Sequence, residues 1–179
     1  MPSSPVVGVV VGNPRPGSRT TTVALEVADQ VAKALSGSVG KVVELANHAA
    51  SVLDPDAAEV QDDLESLRTV QTLVVASPTY KATYTGLLKS FLDRYGAGAL
   101  DGVVAIPVMV GGAPQHALAC EVHLRPLLVE LGAVVPTRGL YVLEAELSRL
   151  SEVVADWLSG GAQALRSSQR TARACRQVS

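Results

Sequence analysis

The chain has 179 residues, 47% of them apolar, with only four tyrosines, one phenylalanine and one tryptophan. That length suffices for one domain with a sizeable core, which Val, Leu and Ala must build. A formal net charge of −2 gives no basic face for nucleic acid, and no apolar run approaches the ~20 residues of a membrane span.

Residues 5–11 read as a strand ending at Gly12. The segment lacks the basic start of a secretory leader and its apolar run is short, so a buried first strand explains it better. Residues 20–35 read as a helix with Val23, Val27, Val31 and Leu35 on one face. A turn over 36–40 leads to a second strand over 41–45, a polar loop over 47–56 and a short helix over 57–67. Residues 72–76 form a third strand, stopped by Ser77-Pro78, and 84–95 a helix. A fourth strand over 102–110 is stopped by Gly111-Gly112. The helix expected over 116–131 must bend at Pro126, which lacks a backbone donor. A fifth strand over 134–142, broken near 136–139, precedes a last helix over 147–160. Residues 164–179 are polar and arginine-rich, which predicts a disordered basic tail outside a domain of residues 1–163.

This alternation predicts an α/β fold: a three-layer sandwich around a five-stranded parallel sheet in the order 2-1-3-4-5. Ligands of such sheets bind beyond the carboxyl ends of the strands, at the topological switch between strands one and three. The unusual loops of this chain follow strands one, three and four, which places a binding site there.

The first loop, "GNPRPGSRT", has the Gly12 and Gly17 spacing of a nucleotide P-loop, but Ser18 and Arg19 stand where that motif needs lysine. No acidic residue ends strand three or four to hold magnesium, so a triphosphate site is unsupported. Hydroxyls of Ser18, Thr20, Thr21 and Thr22, a helix N-terminus, and Arg15 and Arg19 suit one terminal phosphate, as in flavin mononucleotide. A capped helix with solvated arginines is the plain alternative. The second loop, "SPTYKATYTG", offers backbone groups over 79–82 to a flat heterocycle, with Tyr80 and Tyr84 as the available aromatics. In "VGGAPQH" two glycines permit close backbone approach to a ring. His48, His116 and His123 have no visible serine, acid or metal partner, and fit cap or packing roles better than hydrolase chemistry. Cys120 and Cys175 have no metal-ligand spacing and suit a reducing cytoplasm, Cys120 as a buried thiol.

These loops resemble those of the NAD(P)H-dependent FMN reductases, a family with a flavodoxin-like fold, and most resemble the flavin reductases of two-component alkanesulfonate monooxygenase systems. "GNPRPGSRT", "SPTYKATYTGLLKSFLD" and "VGGAPQHALACEVHLRPLLVELGA" carry the likeness, over about residues 5–145. It implies that Asn13, Arg15, Ser18, Arg19 and Thr20 hold the FMN phosphate. Asn13 stands where relatives often have serine. Pro78, Thr79, Tyr80 and Lys81 match the flavin-ring loop, and Gly111 and Gly112 the third flavin loop. The implied reaction is hydride transfer from NADPH or NADH to flavin N5, with no catalytic side chain and no metal, supplying reduced FMN to a partner monooxygenase. A cytoplasmic homodimer or homotetramer, with residues 84–95 at an interface, is implied as well. An FMN-bound quinone or azo-compound reductase, an electron carrier and a phosphate-binding regulatory module remain the rival readings. Sparse aromatics and near-neutral charge favour FMN held mainly by its phosphate and exchanged as a substrate.

Overall fold

Five parallel strands form the centre of the computed structural model, which describes residues 4–176. In chain order they are β1 (Val6–Val11), β2 (Ser38–Glu44), β3 (Thr72–Pro78), β4 (Val104–Gly111) and β5 (Leu140–Leu143). The helices are α1 (Arg19–Ala34), α2 (Ala58–Arg68), α3 (Gly86–Leu92), α4 (Arg125–Glu130) and α5 (Leu150–Arg176). The strand order is β2-β1-β3-β4-β5, with every neighbouring pair parallel, as the sequence predicts.

Each inner strand is buried on both faces, which is why its sequence is a continuous apolar run. Along β1, Val7, Val9 and Val11 join one core with Val23, Val27 and Val31 of α1 and Val154 and Trp157 of α5. Val10 points to the other core, among Leu67, Leu73, Phe91, Leu92 and Leu124. The helices thus divide into α1 and α5 on one face and α2, α3 and α4 on the other. At the exposed edge, β2 carries an extra residue between its pairings Val7↔Val39 and Val9↔Val42, a bulge that discourages edge-to-edge association.

Two expectations need correction. The helix expected over 116–131 starts late and is irregular ahead of Pro126. Pro114–His116 is a 3-10 turn, and the continuous helical run over 119–130 takes the π form over Cys120–Leu124 and the α form over Arg125–Glu130. Pro126 has no N–H for the Val122 carbonyl, and Arg125 N–H reaches back five residues to the Cys120 carbonyl.

The predicted boundary at 163 and disordered tail over 164–179 also fail, as far as the described residues reach. Helix α5 runs from Leu150 to Arg176, straight through Gly160 and Gly161. Leu165 and Ala172 continue the sheet-facing stripe of Val154, Trp157 and Leu158. Gln169, 4% exposed, donates its amide to the Gln71 carbonyl and the Thr72 hydroxyl beneath β3. A Cβ at Gly161 would lie 2.7 Å from the Thr137 methyl, so close packing outweighs the helix penalty of this glycine. The arginines Arg166 and Arg170 occupy the exposed side. The Cys175 side chain and residues 177–179 lie outside the described residues.

Candidate functional site

The carboxyl ends of β1, β3 and β4 are tied together by backbone. Gly12 N–H donates to the Ala76 carbonyl at 2.8 Å, and Thr79 N–H to the Val110 carbonyl at 2.7 Å. Three loops therefore leave the sheet side by side, and each has its own local cause.

In the first loop Asn13 is 8% exposed and works internally. Its Oδ1 accepts from Arg15 N–H at 2.9 Å and its Nδ2 donates to Thr20 Oγ1 at 3.1 Å, folding the loop onto the first turn of α1. Gly17 takes a left-handed φ of 59° and brings Ser18 to the N-cap, where its Oγ accepts from Thr21 N–H at 3.2 Å. The first turn of α1 holds no acidic residue. Two carboxylates approach it from the ends of the edge strands instead. Glu44, closing β2, accepts at Oε2 from Gly17 N–H (2.8 Å) and Thr21 Oγ1 (2.9 Å). Glu144, just beyond β5, pairs at Oε2 with Arg19 Nη1 at 2.7 Å.

The second loop is a two-residue reversal. Tyr80 N–H donates to the Thr83 carbonyl at 2.8 Å, and Thr83 N–H to the Tyr80 carbonyl at 3.2 Å. Lys81 and Ala82 between them have φ of 51° and 68°, the left-handed pair of a type I′ turn. Thr85 follows as the N-cap of α3, and Ser77 Oγ accepts from Thr85 N–H at 3.0 Å. In the third loop, a Cβ at Gly111 would lie 2.0 Å from the Tyr141 hydroxyl, which donates to the Ala113 carbonyl at 2.9 Å.

Between the loops lies a cavity of about 600 Å³, within the usual size of small-ligand sites. It brings together seven residues singled out in the sequence: Asn13, Arg15, Ser18, Arg19, Thr20, Pro78 and Tyr80. Thr79, Lys81, Gly111 and Gly112 are not on its wall. The Thr79 hydroxyl is buried without a hydrogen-bond partner, close to where a Cβ on Gly111 would sit. Lys81 is at the tip of the turn, and Gly111 backs onto Tyr141. Sequence reasoning missed Glu44, Glu144, Thr85 and Tyr141. Only Thr85, a hydroxyl residue opening a helical run, carried a readable signal.

The donor set at the α1 end is hydroxyls, helix N–H groups and guanidinium, which suits a phosphate monoester. Pro78, Tyr80 and Val110 give the opposite wall an apolar character. Among the described residues no cluster of three His, Cys, Asp or Glu side chains could hold a metal ion. His48 lies away from the cavity. Its Nε2 and the Lys41 ammonium each contact the buried Asp63 carboxylate at 2.9 Å, tying β2 to α2. Cys120 is buried under β4 and β5, and burial pushes its thiol up to about 12, which makes it an inert packing residue.

Residues 5–147 match the family model of the NADPH-dependent FMN reductases. An FMN reductase (NADPH) of Pseudomonas aeruginosa is 32% identical over 146 residues, covering 79% of this chain and 77% of that protein. The NADH-dependent FMN reductase SfnF of Pseudomonas putida is 32% identical over 140 residues, covering 75% of each. Against the Escherichia coli FMN reductase (NADPH), 35% identical over 92 residues, the match covers 51% of this chain and spans about half (48%) of the relative's length. The crystal structure of an NADH:FMN oxidoreductase (EMOB) in its apo form superposes with a TM-score of 0.79 at 28% identity, covering 93% of this chain and 89% of that one. An oxidoreductase of Corynebacterium diphtheriae gives 0.80 at 25% identity over 93% and 97%. No helix among the described residues is long and apolar enough to cross a membrane. Fold, phosphate-suited loop and sequence relatives agree: the chain belongs to the NADPH-dependent FMN reductase family.

Proposed function

We propose that this protein reduces FMN with NADPH or NADH and releases the reduced flavin to a partner monooxygenase. The observation that carries this reading is the cavity itself, with phosphate donors at the α1 end and an apolar wall of Pro78, Tyr80 and Val110 opposite. In this reading Ser18, Thr20, Arg15, Arg19 and the N–H groups opening α1 hold the phosphate. Pro78 and Tyr80 flank the ring, while Thr79, Lys81, Gly111 and Gly112, which the resemblance assigns to the flavin, stand behind that wall and shape the loops that carry it. Bound FMN supplies a two-electron acceptor at ring N5. The residues of the chain bind and orient, and no side-chain acid or base is called for. Relatives named for NADPH and for NADH both occur, so either donor is compatible with the family.

Exchange of FMN as a substrate is supported by the aromatic content of the site. Among the described residues Tyr80 is the one aromatic on the cavity wall, so the ring has no aromatic sandwich to retain it. A homo-oligomer is part of the proposal. Leu118, Val122 and Val129 lie exposed along the segment after β4, an apolar stripe suited to a partner surface.

The test is NAD(P)H oxidation in air by purified protein, with and without added FMN. Oxidation that requires added FMN and saturates with it supports the proposal. A protein isolated yellow whose rate ignores added FMN contradicts release, and directs attention to a quinone or azo acceptor. No oxidation with either donor overturns the reductase reading.

A further inference from the structure

The α1 end of the cavity is an anion-binding device that already faces two anions. Glu44 takes the Gly17 N–H and the Thr21 hydroxyl. It is not on the cavity wall, so it acts as a brace behind the loop. Glu144 differs: it lines the cavity and pairs with Arg19, which lines it too. The Arg19 and Glu144 side chains are 67% and 47% exposed, so the pair is solvated, weak and readily exchanged. A phosphate dianion at this end must take Arg19 away from Glu144, or share the guanidinium with a carboxylate that repels it.

Resting on the FMN reading above, we propose that Glu144 is a release-determining residue: a carboxylate that competes with the FMN phosphate for Arg19 and keeps flavin binding weak enough for exchange. The contribution is electrostatic and confined to the phosphate. Its loss therefore tightens FMN and leaves riboflavin, which shares the ring but has no phosphate, unchanged. Exposed ion pairs of this kind correspond to an effect of about two- to fivefold in affinity, shrinking as salt screens the charges.

The experiment is a fluorescence-quenching titration of the full chain with FMN and with riboflavin, at low and high salt. The proteins are wild type, Glu144→Gln, Glu144→Ala and, as a control of equal charge change far from the cavity, Glu152→Gln. The expected result is FMN dissociation constants about two- to fivefold lower in both Glu144 variants at low salt, unchanged riboflavin affinity, and wild-type behaviour in Glu152→Gln. FMN affinity equal to or weaker than wild type in both variants overturns the inference, because Glu144 would then hold Arg19 in place for the phosphate. Equal tightening of FMN and riboflavin overturns it too, since the gain would not be a phosphate effect. Wild-type protein that binds neither flavin refutes the FMN reading itself, and the inference falls with it.

Discussion

The Thr85 hydroxyl donates to the Gly12 carbonyl at 2.5 Å and accepts from Leu88 N–H at 3.1 Å. One buried side chain thus joins the end of β1 to the start of α3, and the first loop to the second. Thr85→Ala strips the cap and orphans a buried carbonyl, an expected loss of about 2–3 kcal/mol. Thr85→Ser keeps the hydroxyl and should lose under about 1 kcal/mol. Urea denaturation measures both. An alanine variant as stable as the serine variant would show that the bond contributes nothing net.

Gly12 and Gly111 are expected to be intolerant for different reasons. A Cβ at Gly12 would lie 2.5 Å from Leu88 Cβ and 3.3 Å from its Cα, so helix α3 itself must shift. Gly12→Ala should cost about 1–3 kcal/mol and weaken FMN binding. At Gly111 the obstacle is a side-chain tip, the Tyr141 hydroxyl. Gly111→Ala should therefore cost less in a Tyr141→Phe background than in wild type. A double-mutant cycle on melting temperature reads that coupling, and strict additivity would argue against it.

The Lys81-Ala82 turn holds two L-residues in left-handed conformation. That conformation costs about 1–2 kcal/mol per residue, while glycine forfeits about 0.5–1 kcal/mol of chain entropy. Ala82→Gly should therefore stabilise by up to about 1 kcal/mol, and the β-branched Ala82→Val should destabilise. Thermal melts of the pair check the sign. A stabilising valine would mean that the turn opens in solution.

Acid sensitivity should involve Glu121. The hydrogen bond from Arg125 holds its carboxyl below the ordinary range, aided by Gly139 N–H and opposed by partial desolvation. A carboxyl lowered on folding stabilises fully above its unfolded value of about 4.3. That contribution is lost as pH falls below this and through the folded value. Glu121→Gln should flatten the fall in stability below about pH 4.3 and leave the neutral-pH slope alone. An unchanged acid limb would place the sensitivity elsewhere.

Much of the fold is legible in the sequence because strands of a buried parallel sheet are largely apolar on both faces, and Val6–Val11, Thr72–Pro78 and Val104–Gly111 are, with Thr72 and Ser77 the polar exceptions. The phosphate-suited loop is legible because hydroxyls and glycines cluster between a strand and a helix. Helix α5 past Gly161 is not, since Leu165 and Ala172 are sparse anchors among arginines, and the buried Gln169 looks solvent-facing by type. Glu144 is invisible for another reason. It is distant in sequence from Arg19, and only the closing of β5 against β4 brings it to the cavity. The left-handed turn at Lys81-Ala82 lacks the Asn-Gly signal such turns usually show.

FMN seated in the cavity between the three loops would cover backbone of the first loop and its neighbours. Hydrogen exchange of the full chain with and without saturating FMN tests this most directly, because bound ligand slows local opening of the backbone it contacts. The expected result is new protection concentrated in residues 12–21, 78–85 and 110–116. Protection centred elsewhere, or none in the first of these segments, would contradict it.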